Sequence, residues 1–266
     1  MYLDPRWLIL IASTSLALSS LSPIITVRRL NFFASALPHT SLLAIALGYL
    51  FSTVLGGNPT ILAILLSVPL SFLQIYLVQR GVDEDTATSV FVAFTTSMSI
   101  AVIYYILTKY SAQVSLWSYI LGDPLLSTWE DIAYALAVSL GVAVSSLILY
   151  DKEVLVGVDR DYAMLIGINV KLHDYIVVTL LTVASVGLLR VVGFVIEHVV
   201  LLLPSAIALI LARNSREALW ISIAVSTASG LAGLLLAVSF DLAPSATFGL
   251  ILFMIYLAAL IQGERT

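Results

Sequence analysis

The sequence contains no cysteine. That removes disulfides, thiolate metal sites and cysteine nucleophiles from consideration, and it leaves the redox compartment unread. Charge is nearly as scarce: Asp, Glu, Lys and Arg make up 11% of the 266 residues, where a soluble domain carries about 25%. A net charge of −4 and a pI of 5.2 leave no basic patch, so nucleic acid is not an expected partner. No Gly-x-x-x-x-Gly-Lys-[Ser/Thr] loop occurs, so any use of ATP falls to another chain. Neither His-Glu-x-x-His nor a pair of aspartates within an apolar run is present, which argues against an intramembrane protease or lipid transferase. The first residues carry no charged n-region and no small-residue cleavage site, so the first apolar run is expected to stay in the mature protein.

What is present is hydrophobic: 61% of the chain, with a mean hydropathy of +1.08. The few charges are clustered, and 30–79, 86–108, 132–150, 175–189, 218–240 and 242–263 contain none. A helix needs about 20 apolar residues to cross a bilayer. Runs of this length, without the alternation of a membrane barrel, are helices. The expected fold is all-α, a polytopic membrane bundle of about nine transmembrane helices (eight to nine). The spans are Trp7–Val27, Pro38–Leu55, Thr60–Gln79, Thr86–Thr108, Trp129–Tyr150, Tyr175–Leu189, Val191–Ala212, Ala218–Ser239 and Ser245–Ile261. Around Arg190 a single broken helix is the alternative to two spans. Gln113–Gly122 is too short to span and is expected at the interface, with Trp117 and Tyr119 as belt residues. No second domain or repeat is visible, so residues 1–266 read as one transmembrane domain with its longest polar loop at 151–174.

With that loop inside, Arg28, Arg29, Arg80, Lys152, Arg160, Lys171, Arg213, Arg216 and Arg265 fall on the cytoplasmic side, against Arg6, Lys109 and Arg190 outside. This positive-inside bias predicts a plasma-membrane protein with its N-terminus outside and its C-terminus cytoplasmic. Within the loop, Asp159–Ile166 reads as a short helix closed by Gly167. Three acids in 81–86 suit a helix start. Asp241–Ser245 and Gly122-Asp123-Pro124 read as caps and turns.

Ionisable groups inside spans are costly and therefore functional candidates. Two places qualify. Glu197 and His198 lie adjacent within one span, and a carboxylate with an imidazole suits a borderline divalent cation. The alternative is structural: Glu197 paired with Arg190 at i+7, and His198 as an interhelical hydrogen-bond donor. His39 stands behind Pro38. Pro69 and Pro204 lie inside spans, where a freed carbonyl can line a cavity or simply mark a packing kink. The small-residue runs 13–22 and 222–233 suit close helix contacts.

Several segments, in order, resemble the permease subunit of metal-cation (zinc/manganese/iron) ABC importers, the ABC-3 type. Val27 to His39 (V-R-R-L-N-F-F-A-S-A-L-P-H) resembles that family's Arg-Arg turn and Gly-Asp-Ala-Leu-Ser-His motif. Glu84 to Ala87, Tyr119 to Asp123, Asp159 to Gly167, Val192-Gly193, Leu203 to Ala206 and Asp241 to Ser245 resemble later family segments. The resemblance implies a homodimeric permease in the membrane lipid, with two ABC ATPase subunits on the cytoplasmic side and an extracytoplasmic metal-binding protein. It implies no cofactor bound by this chain and no catalysis by it, only a transported divalent cation (Zn, Mn or Fe). Of the family's metal-pathway pair only the histidine carries over, as His39; the aspartate position is Ser35. Glu197, with His198, is then a candidate to replace the missing carboxylate. Asp159, Arg160, Asp161, Tyr162, Ala163 and Gly167 take the role of the coupling helix that enters a groove on the ATPase. Tyr162, Met164 and Leu165 form its apolar face, and Arg160 and Asp161 its polar rim. Alternatives are an ABC permease for iron-chelate or vitamin B12-like cargo, and a secondary transporter working without an ATPase.

Overall fold

The structure, a computed structural model, describes residues 4–110, 125 and 127–263. The interfacial segment expected at Gln113–Gly122, the matches and turn around Gly122-Asp123-Pro124, and Arg265 lie outside the described residues. Nine helices occur among the described residues: α1 (Pro5–Val27), α2 (Asn31–Leu55), α3 (Pro59–Gln79), α4 (Glu84–Lys109), α5 (Trp129–Val158), α6 (Arg160–Leu165), α7 (Val170–Leu211), α8 (Ser215–Phe240) and α9 (Pro244–Gly263). All but α6 are long and apolar enough to cross a membrane. The fold is an all-α polytopic bundle.

Most starts follow local chemistry. Asp4, Asn58, Asp83 and Asn169 each accept a backbone N–H of the following turn. At α5 the Thr128 hydroxyl and the Asp131 carboxylate cap each other's backbone, so two otherwise orphaned donors are satisfied together. Asp241 ends α8 in the left-handed conformation (φ 53°). Two boundaries differ from the sequence reading. Helix α2 begins at Asn31, seven residues before Pro38, because a proline removes one internal bond without stopping a helix buried on that face. Helix α5 runs through Asp151-Lys152-Glu153 to Val158, so the first third of the expected loop 151–174 is helix.

The 42 residues of α7 would measure about 63 Å if straight, roughly twice a bilayer's apolar thickness. The helix is not straight. Gly193 has φ 81° and ψ 162°, a conformation open to glycine and strained for any other residue. The Ser185 hydroxyl hydrogen-bonds the Glu197 carboxylate, although twelve residues of straight helix would put them about 18 Å apart. Asp174 and Ser205, near the two ends of α7, both reach the Arg28 end of α1. Arg190 instead meets Asp131 at the start of α5, 3.2 Å away. Helix α7 is therefore a hairpin folded at Gly193, and the eight long helices make nine passes. The two spans read on either side of Arg190 are its two arms.

Helix α1 is the hub, touching α5, α8 and both arms of α7. Ala17, Leu18, Leu21 and Ile25 are fully enclosed there. Its hydroxyls bind across the seams: Ser20 to Ser146 of α5 at 2.6 Å, and Thr26 to Ser205 of α7 at 2.7 Å. At the Arg28 end α1 and α5 meet backbone to backbone. A Cβ on Gly157 would lie 2.7 Å from the Val27 carbonyl oxygen, so only glycine allows this approach. Helices α3 and α4 are mostly exposed on the outside of the bundle.

Candidate functional site

Two polar groups stand out inside this apolar bundle. The first lies where α2, α4 and the α7 hairpin meet. His39, half-buried on α2, places Nδ1 3.0 Å from the Thr96 hydroxyl of α4. Its ring packs edge-on against Phe194, the residue after the Gly193 turn, with centroids 5.1 Å apart. The His198 ring stacks on the same Phe194 at 6.1 Å. Both imidazoles thus rest on one aromatic side chain, and His198 Nδ1 is buried without a hydrogen-bond partner. Ser35, one turn before His39 on the same face of α2, donates to the Phe32 carbonyl at 2.7 Å.

Glu197 faces elsewhere. Its side chain is fully buried and accepts from Ser185, which is 2.6 Å from Ser41 of α2. Residues 39 and 41 project about 200° apart on a helix, so α2 meets α7 through His39 and Phe194 on one side and through Ser41 and Ser185 on another. The structure brings His39 and His198 to one aromatic ring and holds Glu197 on the Ser185 and Ser41 hydroxyls instead. Nor does Glu197 reach back to Arg190; the fold at Gly193 cancels the i+7 spacing, and Arg190 meets Asp131. The second carboxylate oxygen of Glu197 has no hydrogen-bond partner. Among the described residues no group of three or more His, Asp or Glu is close enough to hold a metal ion.

The second group sits at the Arg28 end. Arg28, just past α1, lies 3.1 Å from the Glu153 carboxylate of α5 and also pairs with Asp174 of α7. The side chains of Arg28 and Glu153 are 3% and 1% exposed, which makes this a buried ion pair. Burial pulls the Arg28 guanidinium below its ordinary pKa, and the carboxylates of Glu153 and Asp174 pull it back up. The other Glu153 oxygen is 2.6 Å from His173 Nδ1. A carboxylate can only accept, so the imidazole donates. Asp174 is in turn gripped by a fork from Arg160 of α6, with contacts of 2.6 and 3.2 Å. Sequence reading missed this network because its members are scattered from residue 28 to residue 174; the available signal was an unmatched Arg28 at a span end and acids in the longest polar loop.

Helix α6 projects beside this network. The Asp159 carboxylate accepts the Tyr162 N–H at 2.9 Å to start it, and Gly167 (φ 88°) ends it. Ala163 is enclosed against Val156 and Val170. Tyr162, Met164, Leu165 and Ile166 are exposed, Leu165 at 84%. Asp161 is exposed beside them, whereas Arg160 turns back to Asp174. A cavity of about 230 Å³ opens between this end of α1 and helices α3, α4 and α7, lined by Arg28, Gln74, Glu84, Thr88, Arg160 and Asp174 among others. Phe32, also on its wall, precedes His39 by two turns, and Thr88 precedes Thr96 by a little more, so the cavity lies about 10–12 Å along the helices from the His39–Thr96 contact.

The family model described as the ABC 3 transport family matches residues 6–263, nearly the whole chain. The chain belongs to the ABC 3 transport family. It is 25% identical to a probable metal transport system membrane protein of Thermotoga maritima, over 95% of this chain and 86% of that protein. It is likewise 25% identical to the high-affinity zinc uptake system membrane protein ZnuB of Haemophilus influenzae, over 94% of each. In fold it is similar to a chain of PsaBC from Streptococcus pneumoniae, solved in complex with Fab. The TM-score is 0.82 at 21% identity, covering 96% of this chain and 90% of that one. The protein is an ABC 3 membrane transport permease of the metal-transport type.

Proposed function

We propose that this permease forms the membrane path of an ATP-driven importer of divalent metal cations (zinc, manganese or iron). On this reading residues 1–266 form one transmembrane domain, and two copies enclose the route. Two separate ATPase subunits dock at the 151–174 side, which is cytoplasmic, and a metal-binding protein delivers the ion outside. The N-terminus is then outside and the C-terminus inside. The observation that carries the reading is α6. A chain with no nucleotide-binding loop of its own presents a short helix whose Tyr162, Met164 and Leu165 are exposed, as an insert into a partner's groove would be. The relatives' descriptions as metal and zinc transport proteins support the cargo.

Within the permease, His39 and His198 serve as weak, transient ligands, with Ser35 beside them and the cavity at Glu84 and Asp174 as the way out. A borderline cation accepts imidazole, and a path of few ligands lets the ion leave. Glu197 joins them only when the second arm of α7 turns about Gly193; at rest Ser185 holds its carboxyl. The test is cation uptake by the complex reconstituted in vesicles. His39→Ala abolishes uptake of zinc and manganese while ATP hydrolysis persists, and Glu197→Gln lowers it. Full uptake in Glu197→Gln with none in His39→Ala removes Glu197 from the route. A permease that moves cations with no ATPase subunit favours the secondary transporter instead.

A further inference from the structure

We infer that Arg28, Asp174 and Arg160 form the joint through which movement of α6 is delivered to the membrane helices. The inference rests on the proposed docking of an ATPase at α6 and adds Asp174, together with the pairing that ties Arg28 to Arg160, which the resemblance does not give. The covalent connections of α6 are short but turn at Gly167, whose φ of 88° marks a break in helical direction. Three residues before α6, Gly157 packs on Val27 of α1; α6 itself still needs a grip on α1. The ion network supplies one. Arg160 holds both oxygens of Asp174, and Asp174 pairs with Arg28. Arg28 is fixed from behind by Glu153, itself held by His173.

Both guanidiniums are planar forks, so the chain Arg160–Asp174–Arg28 resists bending as well as separation. Its inner half is nearly free of solvent, and there a pair cannot be exchanged for water without heavy cost. Any displacement of α6 therefore either breaks these pairs or carries α1 with it. Helix α1 then moves the second arm of α7, through Thr26 and Ser205 and through the Ser22 hydroxyl on the Ser205 N–H at 3.1 Å. That arm carries Phe194, Glu197 and His198. Arg28, Arg160 and Asp174 also wall the 230 Å³ cavity, so the same movement reshapes the proposed exit. These are positioning residues: none needs to touch the cation.

The test compares Arg160→Gln and Arg28→Lys in the full complex with its ATPase and binding protein, reconstituted in vesicles. Arg160 is half-exposed, so its replacement leaves the fold intact; Lys at 28 keeps the charge facing Glu153 but loses the fork. Cations moved per ATP hydrolysed fall by about five- to thirty-fold in each, the range expected when a coupling network is cut. The ATPase still co-purifies and still hydrolyses ATP. An unchanged ratio in Arg160→Gln overturns the inference, as does proportional loss of hydrolysis and uptake with the ATPase detached, which would make these docking residues. A wild-type permease that neither retains nor stimulates an ATPase overturns the importer reading itself.

Discussion

The Arg28 network and the Glu197 cluster are both buried and both contain a carboxylate, but they solve the burial problem differently. At the Arg28 end each carboxylate meets an arginine: Glu153 has Arg28 and also accepts from His173, and Asp174 has two arginines. In mid-bundle Glu197 meets hydroxyls only, and one of its oxygens and the neighbouring His198 Nδ1 stay without partners. A charge-paired network fixes helices to one another. A group left partly open in a costly place is suited to a transient guest or a second arrangement. One region holds shape and the other can change it.

Matched substitutions sharpen that contrast. Glu153→Gln leaves Arg28 short of a counter-charge and is expected to cost about 3 kcal/mol, as when one partner of a buried pair is removed; denaturant melts in detergent measure it. Gly193→Ala forces a side chain into the φ 81° turn and costs about 1–3 kcal/mol, read by the same melts and by changed accessibility of a label at Ser185. Glu197→Gln keeps an acceptor for Ser185 and shifts the melt by less than about 1 kcal/mol, the worth of one neutral hydrogen bond. If the two glutamine variants melt alike, the division between a charge-paired and an unpaired cluster fails.

The charge-free runs made the bundle readable from sequence, because nothing but a lipid-spanning helix explains fifty residues without an ion. The short helix at Asp159–Ile166 was readable too, since Asp159 and Gly167 are local start and stop signals. Long-range pairing was not. Asp151-Lys152-Glu153 looked like a solvated loop, but Glu153 pairs with Arg28, Asp151 with Arg216, and Val156 is buried, so α5 continues through it. Glu197 and Arg190 stand at a helical spacing, and the turn at Gly193 that cancels this spacing leaves only a single glycine as its trace. Pro38 looked like a boundary because its effect on a helix is local, while the burial that carries α2 through it is not.

The fold-back at Gly193 has a consequence for symmetry. Among the described residues it makes the tally of crossings odd, since one of the eight long helices passes twice. An odd tally cannot be split into two matching inverted halves, the plan by which many lone carriers build a central axis. In the proposed pair of permeases the symmetry axis lies between the two chains instead.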